Sequence, residues 1–453
     1  MQEILNYFKG NTLPAEVFTD KYAYGNEMPQ DTLNRVASMF AQKEHDRLLR
    51  INIKDTTFLS DLGKEYLSTC SNKFDNLLYL NNLFSHLFSN FRYIIPGGSV
   101  LSTLGTDKLS SLSNCFVIAS PVDSITGIMN TCNEQSQLMK YRGGVGFDIS
   151  SLRPNHSIVN NSAKTSTGAV SFMDLFSNVT NTIAQNARRG ALMLTMSINH
   201  PDAEEFILKK QDLTKVTGAN CSIKLSNEFM DCVKNNKDFI QTYPLDLEIT
   251  GIEHFDSNYN ELVKFGNGYI RKVNALDLWN KIIHCSWNTA EPGIIFEDIH
   301  FDLSPDSVYA EYKPISANPC GEIAMEPYDS CRLIHHNYTS YVINAYTKNA
   351  SFDYDRFARN CYLGMILGDI LIDLEIDSIN KILVKLQFDT KNNNILERNL
   401  WEKVKETALA SRRTGIGFTG LGDTFAMLGI KYGSKESLNF TETISKIKED
   451  FEL

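Results

Sequence analysis

The sequence predicts an α/β protein in which a helical N-terminal region precedes a core whose sheet is largely parallel. Up to about residue 93, apolar side chains recur at three- and four-residue steps, as on one face of a helix. From residue 99 to about 350, short apolar runs alternate with longer amphipathic segments, which is the pattern of successive βα units. The segment PGGS at 96–99 interrupts both patterns, so we expect two regions, residues 1–95 and 96–453.

Individual elements follow from the same periodicities. Four apolar runs are expected to form buried strands, and in chain order they read NCFVIAS, VGFDIS, ALMLTMSI and NCSIKL. The segment SFMDLFSNVTNTIAQ predicts a helix whose apolar face carries Met173, Phe176, Val179 and Ile183. The segment HPDAEEFILKK predicts another, with acidic residues near its N-terminus and lysines near its C-terminus, as the helix dipole favours. Helices are also expected at 351–385, at 395–412 and over the last 20 residues.

Composition and charge exclude several classes of partner. Lys and Arg number 44 against 54 Asp and Glu, so the net charge of −10 offers no basic excess for a nucleic-acid polymer. No segment has the length and apolarity of a membrane span or the pattern of a signal peptide, so a cytoplasmic protein without a membrane partner is expected. Nine cysteines at irregular spacings form neither a disulfide framework nor a metal-ligand pair, and adjacent His335 and His336 would face opposite ways in a strand. No metal site is therefore predicted.

One cysteine differs from the others in its immediate neighbours. Cys320 has Asn318 two residues before it and Glu322 two residues after it. If this segment is extended, its period of two places all three side chains on one face. A neighbouring carboxylate raises the pKa of a thiol, which disfavours a thiolate nucleophile. The grouping therefore favours a cysteine used as S–H or as a sulfur radical, with Glu322 as general acid and base.

Two further motifs have alternative interpretations at the level of the residues. RGGVGFD at 142–148 has glycines that would let a backbone approach phosphate, but it lacks the spacing of a dinucleotide-binding loop and is equally typical of a tight turn. QNARRG at 185–190 is either a functional basic loop or a helix end with favourable arginines and a glycine cap.

Seven segments, in chain order, resemble the catalytic subunit of ribonucleotide reductase, and most closely its adenosylcobalamin-dependent branch. They read LSNCFVIASPVDSITGI, RGGVGFDISSLRP, TGAVSFMDLF, HPDAEEFI, TAEPGIIFEDI, NPCGEIAMEPYDSC and SRRTGIGFTGLGDTFAMLG, and together they span nearly all of residues 90–435. The resemblance implies an N-terminal helical region followed by roughly the first half of a ten-stranded α/β barrel with a catalytic finger loop. It also implies radical-based reduction of ribonucleoside di- or triphosphates to deoxyribonucleotides.

The resemblance assigns a role to each residue of the NPCGE segment. Cys320 would become a thiyl radical that abstracts the 3′ hydrogen of the ribose, while Asn318 and Glu322 would bind and polarise the sugar hydroxyls. Cys115 and Cys331 would supply two electrons and close to a disulfide. Further substrate contacts are implied for Ser99, Asn114 and Gly144.

Cofactors and partners are implied in the same way. Adenosylcobalamin would generate the radical, a dithiol reductant such as thioredoxin would restore the cysteine pair, and a deoxynucleoside triphosphate would be the specificity effector. A homo-oligomer is also expected. The effector-binding residues that the resemblance implies are Asp123, Ser124, Ile125, Arg153, Gln185, Arg188 and Arg189.

The chain also departs from the family pattern. In the family about half the barrel follows the RRTGIGF block, including a serine- and threonine-rich turn for the substrate phosphates and a tail with re-reducing cysteines, and this sequence contains neither. The expectation is therefore the N-terminal part of a split reductase that a second chain completes and that is inactive alone. Two alternatives stay open: a class I subunit that receives its radical from a separate metal-containing protein, and a non-catalytic effector-binding fragment.

Overall fold

The computed structural model describes residues 2–50, 61, 64–65, 73–183, 190–249, 258, 260–389 and 394–453. Contacts divide the chain into two compact units, the first formed by 1–114, 331–385 and 408–453 and the second by 115–330 and 386–407. The predicted boundary after residue 95 falls inside the first unit and stays a prediction.

Helices and strands alternate along most of the chain, as the apolar periodicity predicts. The helices are α1 Gln2–Tyr7, α2 Thr12–Lys21, α3 Pro29–Arg50, α4 Lys73–Phe88, α5 Gly98–Thr103, α6 Ile125–Lys140, α7 Met173–Thr182, α8 Ala203–Leu208, α9 Asn227–Lys234, α10 Ala275–Thr289, α11 Glu297–Asp302, α12 Tyr354–Phe388, α13 Ile395–Ser411, α14 Leu421–Leu428 and α15 Lys435–Glu452. The strands are β1 Ile94–Pro96, β2 Cys115–Val117, β3 Gly144–Asp148, β4 Asn155–Ile158, β5 Thr165–Thr167, β6 Leu192–Ser197, β7 Asn220–Leu225, β8 Asp238–Tyr243, β9 Val263–Phe265, β10 Gly268–Asn274, β11 Gly293–Phe296, β12 Ser316–Ala317, β13 Ala324–Met325, β14 Ser330–Cys331, β15 Leu333–Asn337, β16 Val342–Ile343, β17 Ser351–Phe352 and β18 Gly415–Thr419.

The first unit has a largely helical core. Helices α3 and α4 pack their apolar faces together, with Phe40, Phe84 and Phe88 fully buried between them. Helix α12 adds Phe357 and Leu371 to the same core. A three-stranded sheet belongs to this unit, with β15 in the middle, antiparallel to β1 and parallel to β18. The helical pattern predicted for the N-terminal region is confirmed where the structure describes it.

The second unit is built on a six-stranded sheet of order β11-β7-β6-β3-β2-β14. Each pair from β11 to β2 is parallel, and the four predicted apolar runs are β2, β3, β6 and β7. Every residue of β3 and β6 is buried, as expected for a parallel sheet covered on both faces. The predicted α/β class with a parallel sheet is therefore confirmed, whereas closure into half of a ten-stranded barrel stays a prediction.

Smaller elements complete the second unit. Strands β8, β10 and β9 form an antiparallel sheet, and β4 pairs with β5. The helix predicted in SFMDLFSNVTNTIAQ is α7, which ends at Thr182 because Ile183 takes an extended conformation. None of the helices that the structure describes combines the length and the apolar character needed to cross a membrane.

Candidate active site

Cys320 lies at the tip of a short β-hairpin in the second unit. Strands β12 and β13 pair antiparallel, and the amide of Asn318 donates to the carbonyl of Ile323 to close the tip. Gly321 has φ +85°, a left-handed conformation that glycine adopts without steric penalty. The Cys320 side chain is exposed, whereas Asn318 is fully buried. The hairpin therefore presents the thiol outward and holds the amide inside.

The side chain of Asn318 organises this tip. Its Oδ1 accepts hydrogen bonds from the backbone amides of Gly321, Glu322 and Ile323 at 3.1, 3.1 and 3.2 Å. Its Nδ2 donates to Glu322 Oε1 at 2.7 Å. The expectation of an extended segment with period two is wrong here, because these local hydrogen bonds fold residues 318–323 into a turn. The turn nevertheless brings the predicted amide and carboxylate together.

Two glycines of β3 allow the hairpin to pack against the parallel sheet. A Cβ added at Gly146 would lie 2.2 Å from the carbonyl oxygen of Ala317, and one added at Gly144 would lie 3.0 Å from Cγ of Pro319. Ser316 also bonds Thr195 on β6 at 2.9 Å between hydroxyl oxygens. The RGGVGFD glycines thus lie partly in a strand rather than in a tight turn, and they provide the close approach of two backbones.

Cys115 lies at the start of β2, next to the place where the hairpin packs against β3. Its Cα partner across the ladder is Gly144, which touches Pro319, the residue before Cys320. The Cys115 side chain is buried. Within the second unit, therefore, the predicted residues Cys115, Gly144, Asn318, Cys320 and Glu322 belong to one region of the parallel sheet and its hairpin.

The remaining substrate-side residues lie in the first unit, where they form a second group. The hydroxyl of Ser99, on α5, donates to Asn114 Oδ1 at 2.5 Å. The backbone amide of Asn114 donates to the carbonyl of Cys331 at 3.4 Å, and the backbone amide of Gly97 donates to the carbonyl of Leu333 at 2.9 Å. Ser99 and Cys331 are both buried. A short buried network therefore connects the three predicted residues Ser99, Asn114 and Cys331.

The predicted effector residues surround the N-terminus of α6 in the second unit. Asp123 receives a 2.8 Å ion pair from Arg153 Nε and a 3.0 Å hydrogen bond from the Tyr243 hydroxyl. The Ser124 hydroxyl caps α6 by accepting from the amide of Gly127, and Ile125 is exposed. Asp123, Ser124, Ile125 and Arg153 are thus adjacent, with Arg153 held by the carboxylate. The other three effector residues predicted, Gln185, Arg188 and Arg189, lie outside the described residues.

Tyr243 is a member of this cluster that sequence reasoning missed. Burial and the adjacent Asp123 raise the pKa of its phenol, so the hydroxyl remains a hydrogen-bond donor at neutral pH. No local signal in DFIQTYP marks it, because its partner lies 120 residues earlier in the chain.

Comparisons with known proteins agree on one family. The family model described as the barrel domain of ribonucleotide reductase matches residues 113–448. A vitamin B12-dependent ribonucleoside-diphosphate reductase of Thermoplasma acidophilum is 30% identical over 402 residues, which is 88% of this chain and 45% of that protein. A protein of the same name from Mycobacterium tuberculosis is 26% identical over 367 residues, covering 80% of this chain and 45% of that protein. The chain thus spans about half the length of these curated relatives.

A solved structure shows the same fold. The class Id ribonucleotide reductase alpha subunit of Actinobacillus ureae superposes with a TM-score of 0.67 over 98% of this chain and 66% of that chain. The sequence identity of 16% limits this likeness to the fold.

Proposed function

We propose, since this chain belongs to the ribonucleotide reductase family, that it carries the radical chemistry by which a ribonucleoside di- or triphosphate becomes a deoxyribonucleotide. The observation that carries the proposal is the hairpin tip, where an exposed Cys320 lies between Asn318 and Glu322 and the two polar side chains share a 2.7 Å hydrogen bond. A thiol for hydrogen abstraction and a carboxylate for proton transfer are the two groups that loss of a sugar hydroxyl requires.

The roles of the chain's own residues follow from this arrangement. The Cys320 thiyl radical takes the hydrogen atom from C3′ of the ribose and returns it at the end of the cycle. Glu322 accepts the proton of the 3′ hydroxyl, and Asn318 holds the carboxylate in position. The thiols of Cys115 and Cys331 supply two electrons and two protons, so the products are a deoxyribonucleotide, water and a disulfide, and a dithiol reductant such as thioredoxin restores the pair.

Adenosylcobalamin is the radical source that we propose. It fits the exposed position of Cys320, because a thiol at the tip of a hairpin is accessible to a group that the chain does not itself contain. Several relatives are named vitamin B12-dependent, which supports this choice over a metal-containing partner protein. When bound, the cofactor supplies the radical equivalent that removes the hydrogen atom from the thiol.

The effector and the partners belong to the same proposal. The cluster around Asp123 and Arg153 would bind a deoxynucleoside triphosphate, with the basic loop at 185–190 reporting its identity to the substrate. We also propose a homo-oligomeric cytoplasmic enzyme whose remaining barrel segments come from a second chain.

The test is anaerobic turnover by the complete enzyme that contains this chain, with and without adenosylcobalamin. Cys320→Ser should abolish deoxyribonucleotide formation, because a hydroxyl hydrogen is far harder to abstract than a thiol hydrogen. Cys232→Ser is the matched control, since Cys232 is a half-buried thiol on α9. Normal turnover by Cys320→Ser would overturn the radical assignment. Turnover that needs an iron- or manganese-containing protein instead of adenosylcobalamin would overturn the choice of cofactor.

A further inference from the structure

Three side chains capable of binding a metal converge in the first unit. They are His336 on β15, Cys361 on α12 and Glu452 in the last turn of α15. One ligand atom from each lies within 4.8 Å of the other two. His336 Nε2 and Glu452 Oε1 are 3.5 Å apart, which is longer than the roughly 2.7–3.2 Å of a good N–H···O hydrogen bond.

The polar atoms at this point lack the partners that burial normally demands. His336 is fully buried, and neither ring nitrogen has a hydrogen-bond partner within the described part of the chain. Glu452 Oε1 is likewise buried without a hydrogen-bond partner there, while the other carboxylate oxygen pairs with Lys448. Nine in ten or more buried polar groups are satisfied in native proteins. His336 Nε2 and Glu452 Oε1 are thus two unsatisfied atoms only 3.5 Å apart, and together they indicate a common partner.

The backbone makes room for the imidazole at this position. A Cβ added at Gly364, one turn after Cys361 on α12, would lie 2.8 Å from both Cε1 and Nε2 of His336. The ring consequently lies directly against the helix that carries the cysteine. Close helix–strand packing thus brings the nitrogen and sulfur ligands together.

We propose that His336, Cys361 and Glu452 bind a Zn²⁺ ion. Nitrogen, thiolate sulfur and carboxylate oxygen are the three donor types that Zn²⁺ takes in proteins, whereas Mg²⁺ and Ca²⁺ select oxygen ligands alone. Tetrahedral coordination requires ligand atoms about 3.5 Å apart, so atoms that lie within 4.8 Å of one another must approach by no more than about 1.3 Å when the ion binds. Water or one further ligand completes the shell. The ion joins β15, α12 and α15.

A proton on Cys361 and the ammonium group of Lys448 compete with a metal ion for this site. Burial and the neighbouring Glu452 raise the pKa of the Cys361 thiol to about 12, so a bound ion must displace the thiol proton. Lys448 is the cation that shares Glu452 with the metal. Removing that ammonium frees the carboxylate, and Lys448→Gln should therefore bind Zn²⁺ more tightly than the natural chain does. If His336, Cys361 and Glu452 bound no metal and only packed together, Lys448→Gln would give no gain in Zn²⁺ affinity.

The experiment uses the full chain after treatment with a chelator, titrated with Co²⁺ as a spectroscopic probe and with Zn²⁺ in competition. The expected result is one equivalent bound, with a thiolate-to-cobalt charge-transfer band that Zn²⁺ removes. Cys361→Ser should abolish the band, and Glu452→Gln should weaken binding roughly 100-fold or more, since even outer-sphere partners are worth 10- to 100-fold. Cys285→Ser, at another buried thiol, should retain the band.

Two results would overturn the proposal. One is the absence of stoichiometric Co²⁺ or Zn²⁺ uptake by the natural chain. The other is a charge-transfer band that persists in Cys361→Ser or disappears in Cys285→Ser, since either would place the ion elsewhere. If Cys361→Ser does not fold, Glu452→Gln alone decides, because that substitution keeps the volume of a side chain only partly exposed. In that case, unchanged affinity in Glu452→Gln would reject the site.

Discussion

The Nδ2 of Asn318 donates to Glu322 Oε1 at 2.7 Å, while the Oδ1 of the same amide accepts from three successive backbone amides. One buried side chain thus shapes the hairpin tip and also positions the Glu322 carboxylate, two residues after Cys320 in the chain. This arrangement explains why an asparagine, with both donor and acceptor atoms, occupies the position.

Asn318→Ala should loosen the hairpin tip, because three amides lose their acceptor. The expected result is hydrogen exchange at the amides of residues 321–323 that is at least about tenfold faster, which corresponds to ~1.4 kcal/mol. Asn439→Ala, at an exposed asparagine on α15, is the control and should leave hydrogen exchange at residues 321–323 unchanged. Unaltered protection at 321–323 in Asn318→Ala would contradict the role assigned to the amide.

Gly146→Ala should displace the hairpin from the sheet, because its Cβ would lie 2.2 Å from the carbonyl oxygen of Ala317. Because the backbone fixes the positions of this Cβ and of the carbonyl oxygen, neither can move aside freely. We therefore expect a loss of roughly 1–3 kcal/mol in the free energy of unfolding. Gly422→Ala is the matched control: nothing lies within 4 Å of its added Cβ, and it is an exposed helical glycine. There alanine should be neutral or stabilising by up to ~1 kcal/mol. Denaturant unfolding of both variants measures the difference.

Glu375→Ala should destabilise the first unit through the loop at 111–113. The fully buried Glu375 carboxylate accepts from the Ser111 hydroxyl at 2.6 Å, the Leu112 amide at 2.5 Å and the Ser113 hydroxyl at 3.2 Å. Leaving these donors unsatisfied should cost about 2–4 kcal/mol in the free energy of unfolding. Asp377→Ala, two residues later in a partly exposed pair with Lys43, should cost less than about 1 kcal/mol. Equal costs for the two substitutions would show that the loop does not depend on Glu375.

Acidification should weaken the second unit through His200. Burial lowers the pKa of this histidine. The neutral ring fits its site, because Nε2 bonds the carbonyl of Leu152 at 2.8 Å while Nδ1 accepts from the Asp202 amide at 3.0 Å, so a proton on Nδ1 would face a donor. The unfolded chain therefore binds more protons, and the free energy of unfolding falls as the pH drops below about 6.5. His200→Gln should flatten this dependence, whereas the exposed His284→Gln should not. Melting temperatures that change by the same amount between pH 5 and 8 in the natural chain and in both variants would exclude this effect.

Cys115→Ser should separate the two thiol roles in the complete enzyme. Under the proposed function, hydrogen abstraction by Cys320 should remain while the two-electron reduction lacks one donor, so we expect sugar breakdown and release of the free base in place of the deoxyribonucleotide. Chromatography of the products and tritium release from 3′-labelled substrate measure both steps. Clean multiple turnover by Cys115→Ser would remove this cysteine from the reducing pair.

Much of the fold is predictable from local patterns. The runs VGFDIS and ALMLTMSI mark β3 and β6 because continuous apolar stretches are what a sheet buried on both faces requires. The helical periods mark α12 and α13 to within a few residues. The spacing around Cys320 predicts that the Asn318 amide and the Glu322 carboxylate lie together, and the two share a 2.7 Å hydrogen bond. These features depend on near neighbours in the chain, so periodicity and spacing report them.

Other features depend on residues that are distant in the chain, and there local patterns contain no information. Period two placed Asn318 and Glu322 on one face, but side-chain hydrogen bonds to the backbone formed a turn instead. Glu375 meets Leu112 across 263 positions, and His336 meets Glu452 through the packing of three separate elements. Chain periodicity specifies which face of an element is buried. Tertiary packing then decides which buried groups meet, because a polar atom finds its hydrogen-bond partner only when the two come close in three dimensions.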